Sequence, residues 1–190
     1  MPQARVLKSA ELRRVLDHIA TRRHAARNRA ILLLTHWAGM RIGEIALLRI
    51  GNAIARDGSV KTELHLEAAR TEGRHARKVY VGERLRRELA LYVKQLPQGR
   101  DPEDPLFSTQ KHTAFSPSSL CQLVNLIYLR AGMEGATSHS GRRSMLTTLA
   151  QKGVGVRVLA ELAGHRDIRV TQRYLDVNDA MLRSAADLVA

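Results

Sequence analysis

Apolar residues recur along this chain first at helical spacing and then, briefly, at strand spacing. Leu12, Val15, Leu16 and Ile19 mark one face after Ser9, with Glu11 and Arg13 off that stripe, so an amphipathic helix capped near Ser9 is expected. A second helix runs from about Ala26 into the apolar stretch 31–34, and Gly39 is its stop. A short helix over 42–48, ending near Gly51, follows.

The period changes in the middle of the chain. Residues 60–68 and 77–81 alternate in part and flank the turn-like stretch TEGRH, which predicts a basic hairpin. Helical spacing returns over 83–96 through Leu85, Leu89, Tyr92, Val93 and Leu96. The stretch QGRDPEDP reads as a surface loop. Helices are expected over 118–130, 141–151 and 156–163, with shorter ones around 170–174 and 179–188. The fold expected is mainly α with a small antiparallel β-sheet insertion, in a single domain over residues 1–190.

Charge turns this outline toward a partner. The 31 Lys and Arg outnumber the 18 Asp and Glu, a formal net charge of +13, and most of the cations are Arg. Guanidinium groups grip phosphate oxygens through paired hydrogen bonds, and a polyanion releases counterions when basic side chains replace them. Nucleic acid is the expected partner. A disordered polybasic tail is excluded, because 44% of the residues are hydrophobic. Cys121 stands alone, so no intrachain disulfide forms and a reducing compartment fits. The first residues lack the apolar stretch of a signal peptide, and no run is long enough to cross a bilayer. A cytoplasmic, nucleoid-associated protein is expected.

Three segments carry candidate chemistry. In SHSGRRSML, His139 and Arg142 lie three apart near a helix start, close enough to meet one ligand, while Arg143 points elsewhere. In LAELAGHRD, Gly164 ends a helix and puts His165 on the turn after it, with Tyr174 nine residues on. In GMRIGE, Arg41 follows Gly39, and Glu44 three residues later is placed to hold it. Taken singly, each also fits a plainer role: a salt-bridged helix start, a core tyrosine, a common Arg–Glu pair.

Together the three segments resemble the catalytic domain of the tyrosine recombinases, the phage integrase family, over roughly residues 12–188. Arg41 in GMRIGE looks like the family's first catalytic arginine. His139 and Arg142 in HSGR match its HxxR box, His165 in LAGH its LGH box, and Tyr174 in TQRYLDV its nucleophile position. The resemblance implies a site-specific recombinase or integrase that cuts and rejoins double-stranded DNA through a 3′-phosphotyrosyl intermediate at Tyr174, without ATP. Arg41 and Arg142 would bind the nonbridging oxygens, where charge builds in the transition state. His165 would donate a further hydrogen bond, and His139 would accept or relay the tyrosine proton. The two histidines could exchange these roles. No cofactor or metal is expected, because His139 and His165 are not joined by suitably spaced Asp, Glu or Cys.

Two positions depart from the family pattern. Its hairpin usually supplies a Lys that protonates the leaving 5′-oxygen, and here RTEGRHARKVYV puts Glu72 at that place. Arg74, Lys78 or Lys61 could reach the site instead, the step could run slowly through water, or the chain could be a DNA-binding or architectural homologue with weak or lost cleavage. A relaxing activity like that of type IB topoisomerases is a further alternative. The family also commonly carries a separate DNA-gripping domain in front, whereas the first helix here starts within about ten residues of Met1, so a catalytic domain lacking that unit is expected. Ala180, Leu182, Ala185, Ala186, Leu188 and Val189 make the last segment apolar. It would either fold back on the core or dock on a neighbouring protomer, giving self-association on DNA, and an accessory DNA-binding protein is a further expected partner.

Overall fold

The computed structural model describes residues 4–66, 76–172, 174, 183, 186 and 187. Helix α1 (Ser9–Ala20) turns Val15, Leu16 and Ile19 inward, the stripe its spacing dictates. Its N-cap is Lys8, and the cap is made by Glu11, whose carboxylate reaches back to the Lys8 N–H at 2.8 Å, rather than by Ser9. Helix α2 (Ala25–Trp37) is buried on nearly every side from Ala30 to His36 and forms the axis of the molecule. Helices α1, α5 (Glu83–Val93) and α7 (Ser140–Gln151) pack around it. The approach of α7 is close enough to require a glycine: a Cβ on Gly141 would stand 2.0 Å from Thr35 Oγ1. Ser116 caps α6 (Pro117–Arg130) by accepting from the Ser119 N–H at 3.1 Å.

The expected hairpin is present. Strands β1 (Glu63–Leu66) and β2 (Arg77–Tyr80) pair antiparallel, from Glu63 opposite Tyr80 to Leu66 opposite Arg77. Leu64, Leu66 and Val79 face the core. Its tip, with Arg70, Glu72 and Arg74, lies outside the described residues. The architecture is mainly α-helical with this small antiparallel sheet, as the pattern predicts.

Three boundaries differ from expectation. The helix expected over 42–48 and ending near Gly51 stops earlier, as α3 (Ile42–Ala46), and a separate α4 (Ile50–Ala53) follows with Gly51 inside it. Gly51 does not end a helix there. The 97–105 loop runs over it, with the Gly51 N–H donating to Pro102 O at 2.8 Å, and a Cβ would meet Pro102 at 3.1 Å. Helix α5 stops at Val93 rather than Leu96. The last short helix before Tyr174 is α9 (Ile168–Gln172), two residues earlier than its apolar pattern suggests. The segment 179–188, apart from 183, 186 and 187, lies outside the described residues.

Helices α7 and α8 (Val156–Ala163) enclose a second, smaller core of Met145, Leu146, Ala150, Leu159 and Ala163, against which Tyr174 packs. Among the described residues no helix is long and apolar enough to cross a membrane.

Candidate active site

The site begins where α2 ends. Gly39 takes φ +60°, a left-handed turn that favours glycine. Its Cα faces α7 so closely that a Cβ would lie 2.5 Å from Met145 Cε. That turn delivers Arg41 as the N-cap of α3. Glu44, one turn on, accepts from the Arg41 backbone N–H at 2.8 Å and from its Nη1 at 3.2 Å, the tie that the RxxE spacing predicts.

Glu44 has a second and tighter partner that the sequence reading missed. Arg77 of β2 grips it with two parallel bonds, Nε to Oε1 at 2.9 Å and Nη2 to Oε2 at 2.7 Å. The third Arg77 nitrogen, Nη1, donates to Leu162 O near the end of α8 at 3.0 Å. One guanidinium therefore joins the hairpin, α3 and α8. A signal for it was present: Arg77 is two residues from buried Val79, so it occupies an inward position of the strand, where a charge needs a partner. Burial pushes the Glu44 carboxyl up, but the Arg77 hydrogen bonds and charge, with those of Arg41, outweigh it and hold it below the usual carboxylate range.

Arg142 comes in from α7 and is 5% exposed. Nη1 donates to Gly39 O and Nη2 to Ala163 O, and Nη2 also meets His165 Nε2 at 2.9 Å. Burial above all, then the charges of Arg41 and Arg77, lowers its pKa to about 9, against the opposing pull of Glu44 and Tyr174. His165 follows Gly164, the left-handed C-cap of α8 at φ +63°. Here too a side chain is excluded by a neighbour, since a Cβ on Gly164 would lie 2.7 Å from Arg77 Cδ.

The His165 ring bridges two groups, Arg142 through Nε2 and buried Thr171 Oγ1 through Nδ1 at 2.9 Å. An arginine nitrogen only donates, so Nε2 accepts and the hydrogen-bond network assigns the proton to Nδ1. Burial first, then Arg142, Arg41 and Arg77, lowers this imidazole to about 4, so it is neutral at pH 7. Tyr174 stacks on it, with ring centroids 6.1 Å apart and planes 12° from parallel. Its N–H closes a turn onto Thr171 O at 2.9 Å.

Arg41, Arg142, His165 and Tyr174 thus gather around one another, joined by Arg77, Glu44 and Thr171. His139 is not hydrogen-bonded into this set among the described residues. It is the exposed N-cap of α7, three residues before Arg142. Of the residues considered in place of the hairpin lysine, Lys78 pairs with Glu63 across the strands at 3.2 Å and Lys61 donates to Gly51 O at 2.6 Å. Arg74 and Glu72 itself fall outside the described residues. Among the described residues no three His, Cys, Asp or Glu side chains cluster as a metal site.

Comparison with known proteins gives the family and the fold. Residues 5–181 match the model of the phage integrase family. The chain is 32% identical over 163 residues to the tyrosine recombinase XerC of Methylobacterium nodulans, covering 85% of this chain and 49% of that protein. In three dimensions it superposes on the XerA recombinase with a TM-score of 0.77 at 22% identity, over 99% of this chain and 65% of that one. It superposes on the XerH site-specific recombinase, solved bound to its palindromic difH substrate after cleavage, with a TM-score of 0.71 at 25% identity, over 95% of this chain and 51% of that one. The chain spans about half the length of the curated relatives it matches, 49% and 59% of the first two.

Proposed function

The chain belongs to the phage integrase family, and from that premise we propose that it cleaves and rejoins duplex DNA by attack of Tyr174 on a backbone phosphate. One observation carries the reading. Arg142 is a buried cation whose described partners, two carbonyls and a neutral histidine, are all uncharged, and its imidazole partner is the ring on which Tyr174 stacks. A buried guanidinium that hydrogen-bonds only neutral acceptors, with Arg41 and Arg77 beside it against the one carboxylate of Glu44, is electrostatically matched to an incoming anion. A phosphodiester brings that charge to within reach of a phenol.

The Tyr174 Oη–phosphorus bond forms as the phosphorus–O5′ bond breaks, leaving a 3′-phosphotyrosine and a 5′-hydroxyl. Arg41 and Arg142 stabilise the charge that grows on the nonbridging oxygens. The phenolic proton passes to an imidazole, assigned to His139 by the family motif, with His165 the other imidazole in place. The leaving O5′ takes a proton from water or from a hairpin side chain, since Glu72 stands where the family has lysine. A second strand's hydroxyl reverses the step, and the ester bond's energy is conserved in the intermediate, so ATP is not needed. The same reading has protomers associate on DNA through the apolar segment 179–188.

A nicked suicide duplex carrying a recombination site tests the reading on a denaturing gel. The wild-type chain should form a covalent protein–DNA band that Tyr174→Phe loses. Specific binding by both with no band from either would instead favour a DNA-binding homologue.

A further inference from the structure

A separate cavity of about 370 Å³ opens between the α1–α2 turn and the C-terminal half of α6. It lies at the N-terminal end of α2, whereas Arg41 follows the other end. Along the 13 residues of α2 the two are roughly 18 Å apart, at about 1.5 Å per residue. His18, Arg22, Arg23, His24, Arg27 and Arg130 line this cavity together with buried Ile19 and Ile127, and its lining contains no carboxylate. The nearest acidic residue in sequence, Asp17 on α1, is not part of that lining.

Arg27 is the informative member. It is 9% exposed. Its Nε and Nη2 donate to Asn28 Oδ1 at 3.1 and 3.0 Å, its Nη1 to Ser108 O at 2.7 Å, and its guanidinium lies 5.1 Å from the centre of the Phe115 ring. Every one of these partners is neutral. A buried cation held this way retains an unbalanced charge, and the exposed cations around the cavity mouth add to it. The two imidazoles register the same field: burial, then Arg22 and Arg130, push His18 below its usual range, and burial, then Arg27 and Arg23, do the same to His24. His24 also holds a left-handed backbone, φ 59°, at the turn that brings these groups together.

We propose that this cavity is a second anion site, built to take a phosphate group and independent of the chemistry at Tyr174. Phosphate is the chemistry favoured, because four arginines line one volume and guanidinium forks match a tetrahedral oxyanion with paired hydrogen bonds. The volume lies within the range of about 300–1,000 Å³ typical of small-ligand sites, so a di- or polyphosphate is accommodated. The phosphate comes either from a DNA backbone segment beyond the cleaved one or from a soluble phosphate compound.

Proton NMR of the His18 and His24 rings, titrated against pH with inorganic pyrophosphate or with a short duplex of random sequence, tests this and separates the sources. Pyrophosphate alone raising both histidine pKa values supports a soluble ligand, and the duplex raising them supports a backbone contact. The double variant Arg22→Ala/Arg130→Ala, which alters two exposed side chains, should weaken either effect by about tenfold or more, as expected for losing two charge-assisted hydrogen bonds. Neither probe moving His18 or His24 would overturn the proposal, as would an effect that survives the double variant, or binding of oligoglutamate there in preference to pyrophosphate. Loss of the Tyr174 adduct in the gel assay leaves these outcomes untouched.

Discussion

Arg142 and Tyr174 sit on two sides of one imidazole, and they are held in different ways. Arg142 belongs to the interior: it bonds the carbonyls that end α2 and α8, and its neighbour Glu44 is clamped by two arginines. Tyr174 is half-buried, past the end of α9, and among the described residues it is held by a backbone bond to Thr171, by stacking on His165 and by packing on the edge of the second core. The arginine side is therefore part of the fold, while Tyr174, the proposed nucleophile, is joined to it by a short turn. Substitutions on the first side should damage folding as well as chemistry. Substitutions on the second should damage chemistry alone.

The largest effect expected on stability is that of Glu44→Ala. It leaves Arg77, whose side chain is 12% exposed, without its carboxylate, and breaking a buried pair in this way costs about 3–5 kcal/mol. Urea unfolding should show it as a large drop in midpoint. A loss below about 1 kcal/mol, typical of a surface pair, would mean that the cluster is not part of the fold.

Acid should act on the same side. His165 and His36 both have pKa values lowered to about 4 from 6.5, chiefly by burial. The unfolded chain therefore takes up protons that the folded chain refuses. Their contribution to stability is full above about pH 6.5 and is lost as the pH falls toward about 4. Glu44, also shifted down, adds a loss that begins below its ordinary value near 4.5 and continues through its folded pKa. Denaturant midpoints measured across this range should fall steadily, and His36→Phe should flatten the upper part of the slope.

Gly164→Ala should cost less, about 1–3 kcal/mol, from a left-handed backbone and a Cβ pressed against Arg77. Arg77→Ala in the same chain should recover part of the steric share, an interaction a double-mutant cycle can measure. At the other extreme, Tyr174→Phe should leave stability within about 0.5 kcal/mol of wild type while removing the covalent product. A large unfolding penalty for Tyr174→Phe would erase the distinction between the two sides.

Much of this site was legible in the chain because its ties are local. Arg41 and Glu44 lie one helical turn apart and Gly164 and His165 are adjacent, whereas Thr171, which holds the His165 ring, was not singled out. Arg77 was not legible as a site residue, because it reaches Glu44 across 33 positions and Leu162 across 85. Spacing along a chain carries no trace of such contacts, and only an arginine at an inward strand position hinted at one. Gly51 shows the same limit within the fold. A glycine that ends a helix and a glycine that admits a crossing loop look alike in sequence, and Pro102, which decides between them, is 51 positions away. His139 teaches the reverse, since its motif spacing is clear while the structure leaves it exposed at the start of α7.

The central claim, that Tyr174 attacks a phosphate held by the interior arginines, is tested most directly by locating the DNA link. Nuclease trimming of the covalent adduct, proteolysis and mass spectrometry would identify the modified peptide. A nucleotide remnant on Tyr174, absent from Tyr174→Phe and strongly reduced in Arg142→Lys, is the result expected. A remnant on Tyr80, which is 53% exposed on the hairpin, or an adduct that persists in Tyr174→Phe, would contradict it.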